Sequence, residues 1–267
     1  MKYIVNVPRC PLQLNPTHDG EQADEMMLGW GCEILEETAP GWVKVRADYR
    51  YEGYAPVECL VPDNGWTSRS KKVVTKGYCT VLSLPKVQGG LICDLPRGAL
   101  VAPIAEPDEN HWVKVLLPDG REGYTKESYL GIWYAGHSFS EEEFRQRVCD
   151  TAMTYMGAHY RWGGKSPLGI DCSGLAFMSY WLNGVAIYRD AHIRPDFPVR
   201  EIARADIKKG DLLFFPGHVA VYLGDNMYIH STGKSGSDGV VLNSLDPAHP
   251  LYRQDLDEKM NACGSIF

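Results

Sequence analysis

Cys172 is the residue of this chain best placed to act as a nucleophile. It follows a glycine- and proline-rich stretch, Tyr160-Arg-Trp-Gly-Gly-Lys-Ser-Pro-Leu-Gly-Ile-Asp171. A run that carries no polar stripe, Leu175 to Leu182, follows it. Such a run predicts a helix buried on all sides. Asp171 stands at its N-cap and Asn183-Gly184 at its close, since Asn and Gly tolerate the left-handed cap conformation. In the first helical turn a cysteine meets unpaired backbone N–H groups and the positive end of the helix dipole. Both favour the thiolate, the nucleophilic form. An isolated cysteine more often packs as a small hydrophobe, so this reading needs a base.

Two histidines offer one. His218 opens the alternating run His218-Val-Ala-Val-Tyr-Leu223, and His230 lies in the next, Met227-Tyr-Ile-His-Ser-Thr232. A short turn, Gly224-Asp-Asn226, joins them, so the runs predict a hairpin with the two imidazoles side by side. A cysteine peptidase needs this arrangement: one imidazole takes the thiol proton and later protonates the leaving amine, and a second group holds that ring in its tautomer. Zinc is the competing chemistry, with Cys172, His218 and His230 as three ligands, but no fourth ligand is spaced to join them. The other six histidines read as structural.

The elements around these residues read as α+β, helices first and an antiparallel sheet after. Ser140 and Glu143 form an S-x-x-E capping box, with Phe139 and Phe144 at the staple positions. Phe144, Val148, Ala152 and Met156 then recur at helical spacing up to Gly157, which predicts one buried face. Tyr188–Pro198 is an irregular loop. Asp211–Phe215, a Pro216-Gly217 turn, the two histidine strands and Gly239–Asn243 follow. The stretch Gln254–Phe267 reads as a short polar tail.

The first half of the chain repeats itself. Trp42-Val-Lys-Val45 recurs as Trp112-Val-Lys-Val115, Glu52-Gly-Tyr54 as Glu122-Gly-Tyr124 and Leu60 as Leu130, every pair 70 positions apart. Each copy shows short alternating runs between Asp, Gly and Pro turns, which suits a small all-β barrel. The layout resembles bacterial SH3-like (SH3b) domains. The expected organisation is residues 1–64, 70–131 and 135–267, with the polar stretch Asn64–Lys72 as a link. Trp30, Trp42, Tyr54, Trp112 and Tyr124 read first as barrel core.

Composition narrows the class. The net charge of −7 is spread along the chain, with no basic block for nucleic acid or an anionic membrane. No apolar run is long enough to cross a bilayer. The N-terminus shows no secretory signal, which predicts a cytoplasmic protein if the chain starts there. The eight cysteines include no CxxC pair and read as reduced thiols.

Taken together, Tyr160-x-Trp-Gly-Gly, Asp171-Cys-Ser-Gly174, Gly210-Asp-Leu-x-Phe-Phe215, Gly217-His-Val-Ala-Val-Tyr-Leu-Gly224 and Tyr228-Ile-His-Ser231 resemble the NlpC/P60 cysteine peptidases in content and order. The resemblance covers about residues 140–245 and implies a papain-like catalytic domain cleaving peptidoglycan peptides. By matching position it implies Cys172 as nucleophile, His218 as base, His230 as orienting residue and Tyr160 as a wall of the site that helps hold the oxyanion. With two SH3b copies in front, the chain resembles the murein-peptide recycling branch, γ-D-glutamyl-L-diamino acid endopeptidases that require a free N-terminal L-alanine. That branch holds the substrate ammonium with acids. The implied residues here are Asp171 and Ser173, with Glu25 and Tyr54 from the first SH3b domain; Glu21 and Asp24 rival Glu25. The implied partner is a muropeptide, L-alanyl-γ-D-glutamyl-diamino acid, bound by a monomer without cofactor, nucleic acid or membrane. A wall-binding protein and an amidase or acyltransferase on the same fold are the alternatives.

Overall fold

The repeated sequence folds twice with one connectivity. In the computed structural model, which describes residues 1–267, the first copy contributes β1 (Lys2–Val5), β2 (Arg9–Gln13), β3 (Gln22–Met27), β4 (Gly31–Glu37), β5 (Trp42–Ala47), β6 (Glu52–Pro56) and β7 (Leu60–Pro62). The second contributes β8 (Lys72–Val74), β9 (Tyr78–Leu82), β10 (Leu91–Pro96), β11 (Leu100–Pro103), β12 (Trp112–Leu116), β13 (Glu122–Lys126) and β14 (Leu130–Ile132). The strand orders are β3-β2-β6-β5-β4-β1-β7 and β10-β9-β13-β12-β11-β8-β14, the same path with every strand advanced by seven. Trp30, Trp42 and Trp112 are buried, and Tyr54 and Tyr124 are half-buried.

The chain divides into two compact units, residues 1–133 and 134–267, and both barrels lie in the first. The stretch between the barrels is not the simple polar link its composition suggests. Trp66 is only 3% exposed and donates its indole N–H to the Gly29 carbonyl at 2.9 Å. Trp30 of the first barrel reciprocates with Gly98 of the second at 2.8 Å, and Leu100 N–H donates to Leu28 O. Gly29 has φ +85°, and a Cβ there would press on Leu100 and Trp66. It is glycine for both reasons.

The second unit contains α1 (Glu141–Met153), the short pair β15 (Lys165–Ser166) and β16 (Gly169–Ile170), and α2 (Cys172–Trp181). A sheet follows, built from β17 (Arg200–Ile202), β18 (Leu212–Phe215), β19 (His218–Gly224), β20 (Met227–Thr232), β21 (Gly239–Ser244) and, after the short α3 (Gln254–Asp257), β22 (Ala262–Ser265). Its order is β17-β22-β18-β19-β20-β21, antiparallel throughout. No helix is long and apolar enough to cross a membrane.

Two expectations are corrected here. Helix α1 stops at Met153, so Met156 is exposed and Gly157 (φ +85°) ends a following turn rather than the helix. Residues 254–267 are no tail: β22 inserts between β17 and β18, with Cys263 and Ser265 buried. The four-residue run Ala262-Cys-Gly-Ser265 is too short and too small for alternation to reveal it.

Candidate active site

Helix α2 is buried along Cys172–Tyr180, as its apolar sequence requires. Asp171 caps it, accepting from Gly174 N–H at 2.6 Å and from Gly163 N–H at 2.8 Å. Gly174 admits no Cβ, because one would run into the Gly164 carbonyl. The Trp-Gly-Gly turn therefore packs directly on the first turn of α2, which fixes the height of Cys172.

Hairpin geometry fixes the histidines. Pro216-Gly217, with Gly217 at φ +67°, joins β18 to β19 so that Phe215 pairs with His218. Asp225 and Asn226, at φ 49° and 61°, make the turn from β19 to β20. Positive φ at both central residues matches the strand twist of a two-residue hairpin loop. Val221 pairs with Ile229 and Tyr222 with Tyr228. Continued along the strands, this register sets His230 across from Ala220, diagonal to His218 on the same face. Their rings meet edge to face, centroids 4.9 Å apart, with His218 Nε2 at 2.7 Å from His230 Nδ1.

Cys172 is joined to this pair through the backbone. Its sulfur accepts from the N–H of Val219, the neighbour of His218, and from the N–H of Ser173. Burial, followed by the Asp171 charge, pushes the thiol up to about 11. Burial, then His230 and Arg253, pulls His218 down to about 3, and burial pulls His230 down to about 4. The resting pair is thus a neutral thiol and a neutral imidazole. Burial opposes each charge singly, whereas proton transfer between neighbours creates both together, with mutual attraction in a poorly screened site.

Tyr160 is half-buried, and the Cys172 and Asp171 charges add to burial in raising its phenol above the usual range. Its ring lies against Gly233, where a Cβ would come within 3.2 Å. Cys172, His218, His230 and Tyr160 therefore lie in one neighbourhood.

Asp171 and Ser173 are tied into one buried network beside Cys172. Arg189, 1% exposed, forks onto Asp171 through Nη1–Oδ1 at 3.1 Å and Nη2–Oδ2 at 3.0 Å. It also donates to Ser173 Oγ at 2.7 Å, and Ser173 donates to Asp171 Oδ1 at 3.1 Å. The Asp171 carboxylate thus has five protein donors and a buried counter-charge. Ser173 keeps one face on a narrow cleft whose lining includes Asp190, His192 and Val219. Glu25 and Tyr54 belong to the first unit. Both stand on strands flanking β2: Glu25 is opposite Pro11 and Tyr54 opposite Gln13. Glu25 is buried and pairs with Arg9 at 3.3 Å. Its rival Asp24 is buried too, accepting from Tyr49 OH at 2.5 Å, while Glu21 is exposed.

Two residues of this region escape sequence reasoning. Arg189 sits in a loop with no periodicity, and only a buried carboxylate's need for a partner would have pointed to a cation. Asn243, on β21, places Oδ1 2.8 Å from His230 Nε2. Its position on an alternating strand was visible, but which face met the histidines was not.

The NlpC/P60 family model matches residues 157–254. Along its full length the chain is 42% identical to a protein named dipeptidyl-peptidase 6 from Lysinibacillus sphaericus, with all of both chains covered. It is 31% identical over 234 residues to a γ-D-glutamyl-L-lysine dipeptidyl-peptidase from Bacillus cereus, covering 80% of this chain and 68% of that one. The crystal structure of an NlpC/P60 family protein from Bacillus cereus shares the fold, with a TM-score of 0.80 at 20% identity and 98% of each chain covered. Two SH3b-like barrels followed by this α+β domain, with a full-length relative at that identity, make the chain a member of the NlpC/P60 family.

Proposed function

We propose that this protein is a cysteine peptidase that hydrolyses the γ-D-glutamyl–diamino acid bond of peptidoglycan-derived peptides bearing a free N-terminal L-alanine. The observation that carries the catalytic part is the contact between His218 Nε2 and His230 Nδ1 beside the sulfur at the head of α2. In this reading the Cys172 thiol proton passes to His218, and the sulfur attacks the γ-carbonyl carbon of the D-glutamyl residue. The oxyanion is met by first-turn N–H groups of α2 and by the Tyr160 hydroxyl. The tetrahedral species collapses, His218 gives its proton to the departing amine, and a thioester remains. Water, deprotonated by His218, then releases the L-alanyl-γ-D-glutamate and restores the thiol.

The specificity part rests on other grounds. Both relatives are named as dipeptidyl-peptidases, a term for removal of a dipeptide, and one name specifies a γ-D-glutamyl-L-lysine bond. A buried ammonium requires a carboxylate close by. Asp171 and Ser173 beside the nucleophile, with Glu25 and Tyr54 of the first barrel, are the proposed contributors, and the cleft that Ser173 lines also includes Asp190.

The test is mass-spectrometric cleavage of L-alanyl-γ-D-glutamyl-meso-diaminopimelate and its lysine counterpart, each beside its N-acetylated form, with Cys172→Ala as control. The expected result is release of the diamino acid from free-amine peptides only, abolished in the variant. Equal cleavage of acetylated peptides would keep the peptidase and discard the ammonium requirement. No cleavage of any of them would sink the reading.

A further inference from the structure

We infer that Asn243 is a positioning residue whose anchored amide decides which nitrogen of His218 is left bare to take the Cys172 proton. The inference rests on the peptidase reading above and extends it to the protonation pattern of both imidazoles.

The argument starts at a carbonyl. Leu251 O can only accept, and it does so twice, from Ser244 N–H at 3.0 Å and from Asn243 Nδ2 at 2.9 Å. The Asn243 amide therefore cannot be turned over, because its oxygen would then face another oxygen. Oδ1 must point the other way, to His230 Nε2 at 2.8 Å. An amide oxygen accepts only, so neutral His230 carries its proton on Nε2 and its Nδ1 is bare. That bare nitrogen lies 2.7 Å from His218 Nε2. Two lone pairs at this distance would repel, so His218 carries its own proton on Nε2. The nitrogen left to act as base is His218 Nδ1, the one His230 does not engage.

One backbone carbonyl thus fixes two tautomers in series through one side-chain amide. When Nδ1 takes the thiol proton, the S–H bond breaks and an N–H bond forms. The imidazolium still donates from Nε2 to His230, so no second proton moves. The strand register explains how the amide reaches the ring. Tyr228 pairs with Asn243 and His230 with Val241, so Asn243 approaches His230 diagonally on one face of the sheet. The charged groups that bear on the two rings are Arg253, which lowers both, and Asp255, which raises His230. Those two pair with each other at 2.6 Å, and Lys234 joins Asp255 at 3.5 Å. Phe215 and Tyr228 supply aromatic walls.

The test has two readouts. Nitrogen NMR of the full chain with labelled histidine reports the tautomers without substrate. At neutral pH, His218 and His230 should both be protonated on Nε2, and Asn243→Ala should shift His230 toward a mixture. The second readout is the pH dependence of kcat/KM in Asn243→Asp. A carboxylate beside Nε2 raises the pH at which His230 protonates, by about 1–3 units for a close opposite charge. Doubly protonated His230 would donate from Nδ1 to His218, push the His218 proton onto the nitrogen facing the thiol and remove the base. Activity should therefore be lost on the acid side, up to about tenfold for one unit of upward displacement, and return as pH rises. An Nδ1-protonated His218 in the wild type would overturn the inference, as would unmoved tautomers in the alanine variant or an acid limb of the aspartate variant coincident with wild type. Because the wild-type tautomers need neither turnover nor a variant, they can fail while the peptidase reading stands, and the reverse.

Discussion

At the scale of single residues, the catalytic chemistry turns on where burial holds each proton. His218 and His230 are held at about 3 and about 4, against 6.5 for a free imidazole. Groups with lowered values stay neutral as the pH falls, so His218 should remain a competent base well below pH 6.5. A kcat/KM profile is expected to keep its plateau through 6.5 and to fall only at lower pH; half-loss at 6.5 would show that the imidazole is not shielded. The placement of Cys172 at a helix start and the meeting of the two histidines were legible in the sequence, because a helix-start cysteine and two hairpin histidines carry their geometry in their spacing. Arg189 was not legible, so the counter-charge of Asp171 stayed out of view. A carboxylate at a helix cap looks available when its counter-ion comes from an irregular loop 18 residues away.

At the scale of elements, α2 and the loop 185–199 are held together by one buried ion pair. Arg189 and Asp171 have side chains 1% and 8% exposed. Removing one member of such a pair strands the other charge, which typically costs about 3–5 kcal/mol. Arg189→Met should lower the urea midpoint accordingly, and Arg189→Lys should recover part of the loss, since lysine restores the charge but not the fork. An unchanged midpoint would show that Asp171 finds another partner. The elements with strong periodicity or strong caps were readable. Ser140 caps α1 as its spacing predicts, accepting from Glu143 N–H at 3.3 Å. The 3.6-residue pattern nevertheless ran past the helix end to Met156, because an exposed methionine looks the same on paper as a buried one. Strand β22 was missed because its partners lie far upstream, Arg200 of β17 opposite Ser265 and Leu212 of β18 opposite Gly264, and pairing over such distances leaves no local mark.

At the scale of the molecule, duplication was the most legible feature, since a constant offset of 70 needs no structural assumption. What the repeat could not reveal is that its copies are fastened by contacts that are not themselves repeated, Trp66 to Gly29 and Trp30 to Gly98. Trp66→Ala should cost about 3–5 kcal/mol by emptying a large buried site, read as a lowered melting transition of the barrel signals. No change would show that the barrels stand independently. The position of β22 also has a consequence for how the protein is made. The strand that fills the gap between β17 and β18 follows Cys172 and both histidines in the chain, so a nascent chain carries all three before their sheet can close. Until Ser265 has left the ribosome, β18 presents an open edge on the side β22 will occupy. The sheet that carries both histidines therefore closes only after translation has passed that point.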